Sequence, residues 1–169
     1  MCAHKPPTEG RLEHAVVALL DARSLTLATA ESFTGGQLAA ALTRVPGASG
    51  VFPLGWVTYA SEQKTAQLGV SALLLEAEGV VSDQVAAAMA EGALNRAGTT
   101  MAVATTGCAG PEPLVDPGRG SVPLGRCYIA LARSGHQTQV RGFDFAPPRE
   151  HVQYMGVQAA LALVLEELG

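Results

Sequence analysis

The feature of this sequence that most constrains its fold is a repeated order of segments. A short apolar stretch is followed by a polar loop and then by a helix-forming stretch. Apolar stretches of strand length occupy residues 25–30, 52–60 and 100–107. In the helix-forming stretch 10–23, apolar residues recur at the spacing of one helical face. This alternation of strands and helices predicts a β-sheet with helices packed on both faces.

The C-terminal third of the sequence adds two strands of a different kind. The apolar stretches 124–135 and 138–146 are joined by a turn at Ser134-Gly135 and predict an antiparallel pair. The predicted fold class is therefore α/β, a three-layer α/β/α sandwich with a mixed β-sheet. Segment 107–123, rich in Gly and Pro, is predicted to be a loop, and 71–79 is ambiguous. Further helices are predicted over 37–45, over 61–69, after Ser82 as the N-cap, and over 149–167.

Length and composition predict one domain over residues 10–169, preceded by a polar tail over 1–9. A net charge of −4 provides no basic surface for a polyanion, so nucleic acid is not expected as a partner. No segment resembles a signal peptide or a membrane span, and the three cysteines lack metal-site or disulfide spacing. We expect a cytoplasmic protein without a metal or another cofactor. The apolar stretch 160–165 is either deeply packed or part of a homo-oligomer contact.

The chain contains nine arginines but only two lysines, Lys5 in the predicted tail and Lys64. A desolvated lysine can lose its proton and act as a base, whereas arginine effectively cannot. Chance explains this bias equally well. It therefore draws attention to Lys64 without assigning its role.

Three loops at predicted strand ends contain polar residues that the fold alone does not require. They span 31–36, 59–64 and 105–111. In open α/β sheets, ligands bind at this end of the strands. In the first loop, Ser32 and Thr34 precede a helix that Gly35 and Gly36 open. Such a helix start can hold a phosphate or an oxyanion, although simple capping by Ser32 or Thr34 is the alternative.

The second loop contains Tyr59 at a strand end and Lys64 one helical turn into the next segment. Lys64 could be the base of a nearby serine if burial lowers its pKa, and Tyr59 could relay a proton. The alternative is a solvated lysine and a half-buried tyrosine. Ser61 lies three residues before Lys64, which matches the S-x-x-K spacing of penicillin-binding enzymes. This pattern is loose, and we expect Ser61 to be the N-cap of the helix instead.

The third loop, which includes Thr106 and Gly107 to Gly110, is suited to backbone and hydroxyl contacts with a phosphate or ribose. It has neither the lysine of a P-loop nor a G-x-G-x-x-G pattern, so nucleotide binding is permitted but not specified. The four histidines are scattered and form no set with metal-ligand spacing.

Together, these loops resemble the CinA C-terminal domain family, the nicotinamide-nucleotide amidases, over residues 10–165. The matching motifs are Ala30-Glu31-Ser32-x-Thr34-Gly35-Gly36, Val57-x-Tyr59 with Lys64 and Leu68-Gly69-Val70, Val81-Ser82 with Met89-Ala90-Glu91-Gly92, Thr106-Gly107-x-Ala109-Gly110-Pro111, and Arg149-Glu150. The resemblance implies the stand-alone form of a competence-damage-inducible protein. It also implies hydrolysis of the carboxamide of nicotinamide mononucleotide to nicotinate mononucleotide and ammonia.

The resemblance implies a role for each site residue. Ser32 would be the nucleophile, Lys64 its base, and Tyr59 a proton-transfer partner. On physical grounds we expect backbone N–H groups of 33–36 to bind the oxyanion, and Thr106, the 107–110 loop and Arg149 to bind the nucleotide end, although these two assignments could be exchanged. Substrate would contact the remaining residues of the set, which are Thr34, Gly35, Gly36, Thr106, Gly107, Ala109, Gly110 and Arg149.

The sequence departs from the family pattern in three places. Phe33 replaces the usual cysteine beside the nucleophile, and Val122, in the unusual segment 112–124, replaces a common lysine. Pro147-Pro148 replaces Gly-Asp before Arg149. These differences leave two other hypotheses open, a non-catalytic nucleotide-binding module and an amidase for another small amide.

Overall fold

The computed structural model describes residues 12–116 and 120–169, and its centre is a five-stranded mixed sheet. The sheet contains β1 (Leu27–Glu31), β2 (Gly55–Val57), β3 (Met101–Gly107), β6 (Arg126–Arg133) and β7 (Gln139–Asp144). A separate hairpin pairs β4 (Leu114–Asp116) with β5 (Gly120–Val122). The helices are α1 (Leu12–Ala22), α2 (Gln37–Thr43), α3 (Ser61–Leu68), α4 (Ala72–Glu78), α5 (Asp83–Ala97) and α6 (Arg149–Leu168).

The spatial order of the main strands is β2-β1-β3-β6-β7. Strand β1 is parallel to β2 and β3, whereas β6 is antiparallel to β3 and β7. This arrangement confirms the predicted mixed sheet and the α/β class. It also brings the carboxyl ends of β1, β2 and β3 to one edge, because parallel strands end on the same side.

Alternating side chains on the strands divide the core into two layers of different character. One face presents large residues such as Leu27, Val103 and Ile129 to α1, α2 and α6. The other presents alanines to a layer that includes α5, which are Ala28, Ala30, Ala102, Ala104, Ala130 and Ala132. Small residues on this face let α5 pack close to the sheet, since they extend little above its surface. Helices on both sides are thereby confirmed.

Three predictions about elements need correction or completion. Segment 107–123 is not entirely a loop, because β4 and β5 form a hairpin within it. Segment 71–79 forms α4, which begins after Ser71, whose side chain accepts a hydrogen bond from the Leu74 N–H group. The predicted strand over 52–60 is reduced to Gly55–Val57. The predicted tail over 1–9 lies outside the described residues.

The apolar stretch 160–165 belongs to α6 and is packed against the sheet. Ala160, Leu161, Leu163 and Val164 are all buried within the chain. This stretch therefore provides no argument for self-association. None of the helices in residues 12–116 and 120–169 combines the length and apolar character needed to cross a bilayer.

Candidate active site

Ser32 is the first residue after β1 and begins the turn that leads into α2. Its backbone N–H donates to the Thr105 carbonyl oxygen of the neighbouring strand at 3.0 Å. The turn is completed by Gly35 and Gly36, whose φ angles of 62° and 94° lie in the left-handed region that favours glycine. These bonds and angles fix Ser32 at the carboxyl edge of the sheet, where its side chain is 8% exposed.

Lys64 lies on α3 and is only 2% exposed. Its Nζ donates to the Ser32 Oγ at 3.2 Å and to the Thr58 carbonyl oxygen at 2.9 Å. Burial lowers the pKa of Lys64 from 10.5 to about 8, and the nearby Glu62 carboxylate raises it by less. The structure thus joins two residues that are 32 positions apart in the sequence.

This pairing allows Lys64 to act as a base. With a pKa of about 8, roughly a quarter of the amines are neutral at pH 7.5, against about one in a thousand at a pKa of 10.5. A neutral amine has one lone pair and two protons. One N–H group can stay hydrogen-bonded to the Thr58 carbonyl oxygen while the lone pair accepts the Ser32 hydroxyl proton.

The Ser32–Lys64 pair opens into a cleft of about 480 Å³ at the edge of the sheet. Its walls come from the loop after β1, the start of α3, residues 80–81, the loop after β3, β4 and the first residue of α6. The lining residues that the sequence analysis singled out are Ser32, Phe33, Tyr59, Ser61, Lys64, Thr106, Gly107, Ala109, Gly110 and Arg149. The cleft is large enough for a small-molecule substrate.

Arg149 connects two walls of this cleft. One terminal nitrogen donates to the Gly110 carbonyl oxygen, and the other donates to the Tyr59 hydroxyl at 2.6 Å. No carboxylate in the described part of the chain forms a salt bridge with Arg149, so its charge is available to an anionic ligand. Tyr59 is 58% exposed, and its hydroxyl accepts a hydrogen bond from Arg149, whereas no hydrogen bond joins it to Lys64 in the described structure.

The loop after β3 contributes mainly backbone to the cleft. The Thr106 hydroxyl donates to the Val80 carbonyl oxygen at 2.6 Å, and Thr106 is 1% exposed. This hydrogen bond uses the only proton of the hydroxyl and attaches Thr106 to the loop that precedes α5. Gly107 is needed for close packing, because a Cβ atom there would lie 2.4 Å from the Cys127 Cβ.

From the sequence, Thr34, Gly35 and Gly36 are expected to bind substrate. None of the three lines the cleft. The Thr34 hydroxyl and the Gly36 N–H both donate to the carboxylate of Glu31, and the Gly35 N–H donates to the Ser32 carbonyl oxygen. Glu31, to which the sequence analysis gave no role, therefore binds the free N–H groups at the start of α2.

The predicted oxyanion donors over 33–36 are reduced to two by the same bonds. Among the described residues, nothing accepts a hydrogen bond from the N–H groups of Phe33 and Thr34. These two groups directly follow Ser32, and of the two residues only Phe33 lines the cleft.

The residues that differ from the family pattern lie in two environments. Phe33 is 3% exposed, and its ring packs against Gly156 of α6, while the residue also contributes to the lining of the cleft. Its carbonyl oxygen accepts a hydrogen bond from the Gln153 side chain at 2.8 Å. Val122 lies in β5 and does not line the cleft, whereas Leu114 and Val115 of β4 do.

Ser61 is not the N-cap of α3, contrary to the prediction. Ala60 occupies that position, and no side chain caps the helix, which begins at Ser61 itself. Ser61 lines the cleft but forms no hydrogen bond with Lys64 in the described structure. The geometry therefore favours Ser32 over Ser61 as the partner of the amine.

The two described cysteines have separate surroundings. Cys127 is fully buried, and burial raises the pKa of its thiol to about 12. Cys108 lines the cleft and lies within hydrogen-bond distance of the Glu112 carbonyl oxygen. Within residues 12–116 and 120–169, no group of three or more His, Cys, Asp or Glu side chains is arranged to hold a metal ion.

Comparison with curated proteins gives relatives with closely related names. The chain is 45% identical over 160 residues to a CinA-like protein of Akkermansia muciniphila, covering 95% of this chain and 38% of that protein. It is 51% identical over 129 residues to a putative competence-damage inducible protein of Symbiobacterium thermophilum, covering 76% and 29% respectively. The chain therefore spans little more than a third of the length of such relatives.

Solved structures give the same result. A competence-damaged protein (CinA) superfamily protein of Escherichia coli matches with a TM-score of 0.86 and 37% identity, over 92% of this chain and 88% of that one. A competence or damage-inducible protein of Enterobacter asburiae matches with a TM-score of 0.87 and 31% identity, over 94% and 96%. The family model named CinA C-terminal domain matches residues 9–168. With this match over nearly its whole length, the chain belongs to the CinA C-terminal domain family.

Proposed function

We propose that this domain is an amidohydrolase that hydrolyses the carboxamide of nicotinamide mononucleotide to nicotinate mononucleotide and ammonia, a step of pyridine-nucleotide recycling. The observation that supports this most is the buried Lys64 amine, 3.2 Å from the Ser32 hydroxyl at the base of a cleft. Acyl transfer from an amide needs a nucleophile, a base and an oxyanion site, and all three can be assigned here.

In the proposed reaction, the Ser32 Oγ attacks the carboxamide carbon while Lys64 takes the hydroxyl proton. The N–H group of Phe33, a residue that lines the cleft, stabilises the oxyanion that forms. Lys64 then protonates the departing nitrogen, and ammonia leaves an acyl group on Ser32. Water attacks this ester with Lys64 as the base, which releases nicotinate mononucleotide and restores the hydroxyl.

Tyr59 and Arg149 are proposed to act on the substrate. The Tyr59 hydroxyl accepts a hydrogen bond from Arg149, so its own proton is free to be donated elsewhere in the cleft. This orientation suits assistance to the leaving nitrogen. The guanidinium of Arg149, together with the backbone of 107–110, would bind the phosphate end of the nucleotide.

Two other functions remain compatible with the cleft. The apolar Leu114 and Val115 and the departures in 112–124 favour either a different small amide or a nucleotide-binding module without turnover. A binding module would be stabilised thermally by nicotinamide mononucleotide without releasing ammonia. A panel of small amides would identify another substrate.

The direct test measures ammonia release from nicotinamide mononucleotide by the purified protein. We expect Ser32→Ala and Lys64→Met to lose at least about 1,000-fold in kcat, because each removes a group that acts in the chemical step. Ser61→Ala is the matched control, a serine of the same cleft without a bond to Lys64, and it should keep more than half of the activity. Full activity in Ser32→Ala, or its loss only in Ser61→Ala, would refute the mechanism.

A further inference from the structure

The carboxylate of Glu31 is fully buried at the end of β1, and both of its oxygens accept hydrogen bonds. Its Oε2 accepts from the Thr34 hydroxyl at 2.7 Å, the Gly36 N–H at 2.9 Å and the Leu38 N–H at 3.1 Å. Its Oε1 accepts from the Ala39 N–H at 2.8 Å. In the part of the chain that the structure describes, no basic side chain contacts this carboxylate. The N–H groups at the start of α2 and the Thr34 hydroxyl compensate its charge.

These bonds extend to the backbone of Ser32 in one direction. Thr34 donates its only hydroxyl proton to Glu31, so in its 2.8 Å bond with Thr105 the Thr105 hydroxyl must be the donor. The Thr105 Oγ1 in turn accepts from the Ser32 N–H at 3.4 Å, beside the main bond to the Thr105 carbonyl oxygen. The Thr105 hydroxyl therefore donates to the Thr34 hydroxyl, which donates in turn to the charged carboxylate of Glu31.

The backbone of Glu31 is linked to the other half of the pair. The Thr58 N–H donates to the Glu31 carbonyl oxygen at 2.8 Å, and the Thr58 carbonyl oxygen accepts from Lys64 Nζ at 2.9 Å. Glu31 thus fixes the turn that contains Ser32 through its side chain, and it fixes Thr58, which binds Lys64, through its main chain.

We propose that Glu31 is the positioning residue of the Ser32–Lys64 pair, and this inference rests on the proposed amidase function. It does not line the cleft and touches no substrate. Its carboxylate holds the Ser32 turn and the start of α2 at a fixed separation, which sets the 3.2 Å approach of the Ser32 Oγ to Lys64. Misplacement of a reacting group by about 1 Å costs on the order of 100-fold in rate.

The matching substitution is Glu31→Gln, which keeps the shape and removes the charge. With its amide oxygen at the Oε2 position, glutamine still accepts from three donors, but its NH₂ group then opposes the Ala39 N–H. We expect kcat for nicotinamide mononucleotide to fall about 10- to 100-fold, with KM changed less than about threefold because the cleft wall is intact. Thr34→Val should behave similarly, and Thr34→Ser should restore most of the activity.

The control for a general loss of helix capping is Ser71→Ala. Ser71 caps α4, away from the cleft, by accepting from the Leu74 N–H. This variant should lower thermal stability without changing kcat. A fall in kcat for Glu31→Gln but not for Ser71→Ala, compared at matched stability, separates positioning from simple destabilisation.

A second measurement does not depend on the substrate. A fluorophosphonate reacts with an activated serine: the Ser32 Oγ–P bond forms, the P–F bond breaks, and the hydroxyl proton passes to Lys64. We expect Glu31→Gln and Thr34→Val to be labelled at least about 10-fold more slowly than the wild-type protein, as measured by intact mass. If Glu31→Gln does not fold, the Thr34 pair of variants provides the same test.

Labelling and turnover at wild-type rates in Glu31→Gln or Thr34→Val would overturn the inference. A wild-type protein that is labelled at Ser32 but does not hydrolyse the nucleotide would refute the proposed substrate and leave the labelling comparison decisive. A wild-type protein that is not labelled would overturn both proposals, because Ser32 would then not be activated.

Discussion

The packing of Phe33 against Gly156 provides a sharp test of how this chain accommodates its unusual residue beside Ser32. A Cβ atom added at Gly156 would lie 2.4 Å from the ring Cζ of Phe33 and 2.6 Å from its Cε2. Ordinary carbon contacts begin near 3.4 Å, so the ring would have to retreat by about 1 Å. Gly156→Ala should therefore lose about 1–2 kcal/mol of unfolding free energy, since overpacking exceeds the helix-propensity gain of about 1 kcal/mol.

A double-mutant cycle turns this clash into a measurable coupling. Phe33→Cys alone should cost about 3 kcal/mol through the cavity it leaves. In the double variant the alanine methyl meets no ring, so we expect a loss smaller than the sum of the single losses by about 2 kcal/mol. Guanidinium unfolding followed by circular dichroism measures all four proteins. Additivity within about 0.5 kcal/mol would refute the packing argument.

Three further results are expected. The kcat/KM for the amide should rise about tenfold per pH unit below an apparent pKa of about 8 and level off above it, because Lys64 must be neutral; a profile that is flat from pH 6 to 9 would contradict this. The unfolding free energy of the wild-type protein, relative to Lys64→Met, should increase by about 2–3 kcal/mol from pH 7 to pH 10. Between about pH 8 and pH 10.5, Lys64 has lost its proton in the folded protein but keeps it in the unfolded one, so stability rises with pH. If the unfolding free energies of the wild-type protein and Lys64→Met change in parallel with pH, the pKa of Lys64 is not lowered. Arg149→Lys replaces two separate donor nitrogens with a single ammonium and loses the planar fork that suits a phosphate, so it should raise KM about tenfold with a smaller change in kcat.

The order of elements and the edge that bears the cleft could be predicted because both follow from local patterns. Buried strands ending in polar loops marked the positions of Ser32, Lys64 and the segment 105–111. The short hairpin of β4 and β5 was missed, since Gly and Pro interrupt any alternation there. The residue type of Ser61 predicts an N-cap, but the helix begins at Ser61 itself, one residue earlier than that prediction requires.

The contacts that organise the site join distant residues, so local patterns do not predict them. The bond between Arg149 and Tyr59 spans 90 positions, and the pairing of Ser32 and Lys64, which spans 32, followed from the family resemblance and not from any local pattern. The role of Glu31 could not be predicted for a different reason. It ends an apolar strand, eight positions before Ala39, whose N–H group it binds, so it does not occupy the usual position of a helix cap.

The central claim is that a buried amine beside Ser32 is partly neutral near physiological pH. Because the sequence has only two lysines, protein labelled with ¹³C at the lysine Cε gives two signals, and the Lys64→Arg variant identifies the one from Lys64. A titration of that chemical shift measures its pKa directly. We predict a midpoint of about 8. A midpoint near 10.5, the value of a lysine in water, would contradict the role of Lys64 as the base.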